Sequence, residues 1–205
     1  MITLYLASAS PRRSEILSRM GLAHTVFTAP ADETVEDGIS MENAGEILAA
    51  RKAYAAKQAL IAQGKFTPET MILAADTLVY LGGKPLGKPK DAADAKQMLL
   101  ALSGREHSVC TGTCLVYGDR SISASEVSAV HMRPFSEKEA AAYVATGEPL
   151  DKAGAYGIQG IGSVLIDRIE GDFFSIMGLS PATVSRLMSA LGVAYFDLQQ
   201  IIGYE

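Results

Sequence analysis

The stretch Met71-Ile72-Leu73-Ala74-Ala75 is apolar at every position and runs directly into Asp76-Thr77. A strand with one wet face alternates in character; this one does not, so it belongs at the centre of a sheet covered on both faces. Covering both faces calls for helices on either side, and that requirement selects an α/β architecture. The rest of the chain supplies such helices.

Leu4 to Ala7 reads as a short buried strand, with Ser10 as N-cap and Pro11 in the first turn of a helix that Gly21 ends. A second strand, His24 to Thr28, leads into the turn Ala29 to Glu33, and the longest helical signal runs from Glu42 to Ala62. After the apolar strand, Leu78 to Leu81, Gly82-Gly83 and Lys84 to Leu86 form a tight hairpin. Asp91 caps a helix through Leu102, and His107 to Tyr117 pairs with Ile122 to Met132 across Gly118-Asp119. Ser136 and Glu139 make a capping box for a helix closed by Gly147; Val164 to Ile169 is a strand, and Ser180-Pro181 opens the last helix. No repeat or linker interrupts this order, so the expectation is one compact unit in which strands and helices alternate in a mixed α/β order.

The chain has 205 residues, of which 48% are hydrophobic, enough to bury a full core. Its formal net charge of −5 argues against a nucleic-acid coat, which needs a broad basic face. No apolar run approaches the roughly 20 residues of a membrane span, and Met1-Ile2-Thr3 lacks a signal peptide's basic start, so a cytoplasmic chain is expected. Cys110 and Cys114 stand four apart in a strand, roughly 13 Å between Cα atoms, too far for a disulfide. They are expected to be free thiols.

Chemistry-bearing residues gather at a few junctions. Ser8, Ser10, Arg12 and Arg13 surround the start of the first helix, whose free N–H groups and positive dipole end suit an anion; the arginines also read as surface charges. Asp76 is expected at a strand's carboxyl end, where open α/β sheets bind ligands. It could hold a divalent metal, take a proton from water, or begin a turn. Lys52 and Lys88 add cations that would suit a polyphosphate, while Glu33 could join Asp76 in holding Mg²⁺ with substrate phosphates. Gly154, Gly157, Gly160 and Gly162 bring backbone close to a ligand or to other chain. A P-loop and a G-x-S-x-G elbow are missing, the glycine spacing is wrong for a dinucleotide fingerprint, and His24, His107 and His131 are scattered singly.

The blocks S-x-S-P-R-R at 8–13, Ala75-Asp76-Thr77, Gly87-Lys88-Pro89, Leu102-Ser103-Gly104, Gly147-Glu148-Pro149 and Asp151-Lys152-Ala153-Gly154-Ala155-Tyr156-Gly157-Ile158-Gln159-Gly160 together resemble the Maf family of nucleoside triphosphate pyrophosphatases. The resemblance runs from Leu4 to about Leu191. It implies hydrolysis between the α and β phosphates with a divalent cation, Mg²⁺ or Mn²⁺. It also implies an elongated, inosine-triphosphatase-like α/β fold, a mixed twisted sheet flanked by helices with two lobes and a central cleft, one domain over residues 1–205, often as a homodimer. On that basis Asp76 matches the general base, and Ser8, Ser10, Arg12, Arg13, Glu33, Lys52 and Lys88 match the phosphate and metal site. Arg12, Thr77 and Gln159 resemble the dTTP/UTP branch rather than the branch acting on 7-methyl-GTP. The Gln159 amide, both donor and acceptor, suits O4 and N3–H of uracil or thymine.

Two features depart from the family pattern. Arg51 precedes Lys52 where many relatives carry an uncharged or acidic residue, and the tail Val193 to Glu205 runs past the usual end. A competing expectation is a non-catalytic, nucleotide-sensing module acting in septum formation; release of pyrophosphate separates the two.

Overall fold

The computed structural model describes residues 2–36 and 38–196. Seven strands form one sheet in the order β2-β1-β3-β5-β6-β7, with β4 paired to β3 on the side. The edge strand β2 (Thr25–Val26) runs parallel to β1 (Thr3–Leu6), and β1 runs parallel to β3 (Thr70–Leu81). Parallel neighbours need a crossover, which α1 (Pro11–Arg19) and α2 (Met41–Ala62) provide. β5 (Glu106–Tyr117) and β6 (Arg120–Met132) are joined by only Gly118 and Asp119, a link short enough only for an antiparallel pair, and β7 (Ile166–Glu170) pairs antiparallel with β6.

β3 corrects one expectation. The apolar strand does not stop at Asp76; it continues to Leu81 and takes in the segment expected as a separate strand. Strand length is set by pairing partners as well as by local composition. β1 ends at Leu6 opposite Leu73, but β3 keeps β5 beside it and adds β4 (Lys84–Leu86) opposite Val79 to Leu81. Asp76 therefore lies three residues beyond the last β1 pair, in the middle of a strand. The hairpin turn at Gly82-Gly83 is as expected, with φ of +57° and +77°, values that favour glycine.

The chain divides into two compact units. The first holds the described residues up to Asp76, Thr111–Glu126 and those from Gly178 onward; the second holds Thr77–Cys110 and Val127–Met177. In the first unit α2 lies on the sheet through small side chains. Its Ala49, Ala53, Ala56 and Leu60 pack with Ala7, Ile72, Ala74, Cys114 and Val116. The approach is closest where Gly112 on β5 meets Gly45, since a Cβ on Gly112 would fall 2.0 Å from the Gly45 carbonyl carbon. Both cysteines are buried and free, as expected, and burial pushes the Cys114 thiol up.

In the second unit α3 (Ala92–Leu102) packs on α4 (Glu137–Val144) and on two short 3₁₀ turns, Glu148–Asp151 and Ala153–Ala155. The Asp91 side chain caps α3 through the Asp94 N–H, and Ser136 and Glu139 form the full capping box on α4. A third 3₁₀ turn, Ile161–Leu165, occupies the start of the strand expected from Val164, so β7 begins at Ile166. The sequence carried no sign of α5 (Phe173–Met177), one turn long and apolar.

Helix α6 (Pro181–Ala190) starts at a Ser180 cap and ends with the Val193 N–H bonded to the Met188 carbonyl at 3.0 Å. The Tyr195 hydroxyl donates to the Met20 carbonyl, tying the start of the expected extension to the end of α1. Residues 197–205 of that extension lie outside the described residues. Among the described residues no helix is long and apolar enough to cross a membrane.

Candidate active site

The first unit gathers most of the expected site residues around Asp76. Ile72 and Ala74 face the α2 cluster, and alternation along β3 carries Asp76 to that same face. On α2, Leu48, Ala49, Ala53 and Ala56 are buried, and Lys52 falls in that stripe, four residues after Leu48 and four before Ala56. Its side chain is only 20% exposed and its ammonium donates to the Asp76 carboxylate. The same Nζ lies 2.8 Å from Glu33 Oε1. One lysine thus bridges the two carboxylates expected to share a metal.

A second cationic group comes from the β1–α1 junction. Ser8, buried at the end of the strand region, accepts from the Arg13 Nη1 at 2.9 Å and from the Ser10 N–H at 3.2 Å. Arg13 also donates through Nε to the Gly178 carbonyl at 2.8 Å, so its guanidinium is fixed by the fold. Burial lowers its pKa to about 10 even though the Asp76 charge opposes the shift; it stays charged at neutral pH. The Arg12 charge, half-buried in the same turn, acts in the direction of the lowering. Ser10 sits at the N-cap position, Pro11 at N1, but the Ser10 hydroxyl makes no capping bond.

The second unit carries the rest. Thr77, the next residue of β3, is half-buried, whereas Lys88 and Gln159 are exposed on loops. These loops meet: the Gly154 N–H donates to the Gly87 carbonyl at 3.1 Å, and a Cβ on Gly154 would stand 3.0 Å from Val79 of β3. Of the two readings of the glycine cluster, the observed contacts are with the chain itself. The other three glycines lie against Glu148, Lys152 and Tyr143.

One contributor, Arg51, stands out in the sequence only as a departure from the family pattern. Arg51 donates to the Thr34 carbonyl and, at 3.4 Å, to that of Asp32, while its Nη1 also lies 3.4 Å from Asp32 Oδ2. It clamps the loop on which Glu33 stands, and the Asp32 carboxylate turns that loop by accepting from the Thr34 N–H and hydroxyl. The only signal was that Arg51 is unusual beside Lys52. Lys52 is expected at the site, and its place among the buried Leu48, Ala53 and Ala56 turns it toward the sheet. The histidines take local roles: His24 bonds Ser14, His107 bonds Tyr156, and His131 lies beside Glu106 and Glu170.

The arrangement is a carboxylate held among cations. Glu33 and Asp76 are both on Lys52, and Arg12 and Arg13 outnumber the charge that remains. Such a cluster is prepared for a strongly anionic guest and offers two hard oxygen donors to a divalent ion.

Comparison with known proteins places this geometry in a family. The model described as "Maf-like protein" matches residues 3–191. A protein named dTTP/UTP pyrophosphatase from Aquifex aeolicus is 39% identical over 92% of this chain and 95% of its own. Its namesake from Moorella thermoacetica is 44% identical over 94% and 97%. A solved structure, that of the Staphylococcus aureus Ham1 protein, aligns over 98% of this chain and 97% of its own at 16% identity and a TM-score of 0.49, a distant likeness from which no function follows. The family match, spanning nearly all of the sequence, shows that the chain belongs to the Maf-like proteins.

Proposed function

We propose that this protein is a nucleoside triphosphate pyrophosphatase that hydrolyses dTTP and UTP to the monophosphate and pyrophosphate. The observation that carries the reading is the Lys52 ammonium shared between Asp76 and Glu33, with Arg13 close enough for Asp76 to bear on it. The names of the Aquifex aeolicus and Moorella thermoacetica relatives support the substrate class.

Asp76 accepts the proton of the attacking water as its oxygen bonds to phosphorus, and the bridging P–O bond breaks to release pyrophosphate. Lys52 holds the Asp76 carboxylate in place through its Oδ1. Arg12, Arg13, Ser8, Ser10 and Lys88 neutralise and orient phosphate oxygens. Glu33 and Asp76 fit a divalent ion, Mg²⁺ or Mn²⁺, because two carboxylates plus phosphate oxygens suit a hard cation. When bound, that ion would offset the negative charge on the phosphates. Thr77 and Gln159 serve the base, Gln159 through an amide that both donates and accepts. The resemblance further supports a cytoplasmic homodimer, whose mass light scattering reads.

Asp76→Asn tests the assignment. It removes the proton acceptor while keeping the shape, so pyrophosphate release from dTTP falls by at least about 100-fold with an unchanged melting temperature. Wild-type turnover in that variant, or no release by the native protein from dTTP, UTP, CTP or 7-methyl-GTP, overturns the reading.

A further inference from the structure

The loop that carries Gln159 is built around one carboxylate. Glu148, in the 3₁₀ turn after α4, accepts the Ile161 N–H through Oε2 at 2.8 Å and the Gly162 N–H through Oε1 at 3.0 Å. The Tyr143 hydroxyl donates to the same Oε1 at 2.8 Å and accepts the Gly157 N–H at 3.0 Å. Gln159 is therefore fastened two residues before it and two and three residues after it, while its own side chain is exposed.

The glycines are what let the carboxylate in. A Cβ on Gly160 would fall 2.4 Å from Glu148 Oε2, and one on Gly162 would fall 2.4 Å from the Tyr143 hydroxyl. At Gly157 a Cβ would meet Glu148 Oε1 at 3.0 Å and Lys152 at 2.9 Å. Lys152 closes the back of the turn by donating to the Glu148 carbonyl at 2.6 Å. Desolvation pushes the Glu148 carboxyl up, but the amides of Gly162 and Ile161 and the Tyr143 hydroxyl prevail and hold it below the ordinary range, so the acceptor is charged at neutral pH.

We propose that Glu148, braced by Tyr143, is a specificity-positioning residue: it fixes the backbone on both sides of Gln159 and so presents that amide to a pyrimidine base. The inference rests on the reading above that Gln159 recognises the base. A charged acceptor taking two successive backbone N–H groups defines the loop more tightly than neutral contacts would, and an amide displaced by about 1 Å loses its pair of base hydrogen bonds.

The test compares Glu148→Ala, Glu148→Gln and Gln159→Ala by KM and kcat on UTP and CTP, with amide hydrogen exchange at Ile161 and Gly162. Glu148→Ala should raise the UTP KM about tenfold with kcat within twofold, shrink the UTP-over-CTP preference about tenfold, and speed exchange at both amides. Glu148→Gln, which keeps one acceptor oxygen, should fall between it and the native protein, and it carries the test if the alanine variant fails to fold. If Gln159→Ala loses the preference but both Glu148 variants retain it, the positioning role is wrong while base recognition by Gln159 stands. If Gln159→Ala itself keeps the preference, Gln159 does not read the base and the positioning role falls with it. A merely structural Glu148 would lower both substrates' rates together and leave their ratio unchanged.

Discussion

At the scale of single residues, Lys52 organises the site. It stands in an apolar helical stripe with its ammonium between Asp76 and Glu33, a place where a leucine or alanine would be unremarkable for folding alone. Replacing it with Met keeps the volume and removes the charge, leaving two acids without the cation they share. Turnover of dTTP should fall about 100-fold, the range seen when one preorganised electrostatic partner is removed; a Lys52→Met enzyme with native kcat refutes that role. Arg51 acts one step further out. Its bonds to the 32–34 loop are largely solvent-exposed, so Arg51→Gln should cost little stability, under about 1 kcal/mol. It should still raise the Mg²⁺ concentration needed for half-maximal rate, because Glu33 rides on that loop. A native Mg²⁺ titration would show that Glu33 is held without it.

At the scale of elements, the decisive contact is glycine against glycine. α2 can lie close on the sheet because Gly112 of β5 faces Gly45 with no side chain on either. Gly112→Ala would place a Cβ 2.0 Å from the Gly45 carbonyl carbon, so α2 would have to lift. The expected loss is at least about 3 kcal/mol, measured by denaturant unfolding; a loss under 1 kcal/mol would mean the helix shifts freely. Caps and turns were legible in the sequence: Asp91, Ser136 with Glu139, Ser180 with Pro181, and Gly82-Gly83 all act locally, within three or four residues. What could not be read there depends on distant partners. The hairpin with β4 was legible, but β3 passes through Asp76 because β5 also lies beside it, and nothing within residues 76–81 announces that neighbour. Lys52 meets its partner on β3, Asp76, 24 residues away in sequence, and the glycines of the 154–162 loop answer to Glu148 and Tyr143, not to their immediate neighbours.

At the scale of the whole molecule, stability should carry the mark of one buried histidine. His107 is enclosed in the second unit, its Nε2 2.7 Å from the Tyr156 hydroxyl, and burial, with a smaller effect of the His131 charge, pushes its pKa down to about 4. In the unfolded chain it titrates near 6.5. The unfolded state therefore takes up a proton that the folded state refuses: stability is fully present above about pH 6.5 and declines as pH falls toward 4, by up to about 3 kcal/mol. Urea midpoints at pH 7 and pH 4.5 read the effect, and His107→Gln should flatten it while keeping a polar partner for Tyr156. Equal midpoints in the native protein would show that His107 accepts its proton without cost. The Glu139 carboxyl, held down to about 2 by the Ser136 and Arg133 hydrogen bonds, adds its own loss as pH falls through about 4.5, and the comparison with His107→Gln separates the two.

The alternation of β3 has a consequence for how such proteins diverge. Ile72, Ala74 and Asp76 share the face toward α2, so Thr77 points to the opposite one. The acid proposed to take the water's proton and the residue proposed to tune base choice thus stand on successive codons and on opposite faces of one strand. On the proposed roles, exchange at position 77 should change nucleotide preference while leaving the Asp76–Lys52 contact intact. A single inserted or deleted residue upstream in the strand would trade their faces and take the acid away from Lys52.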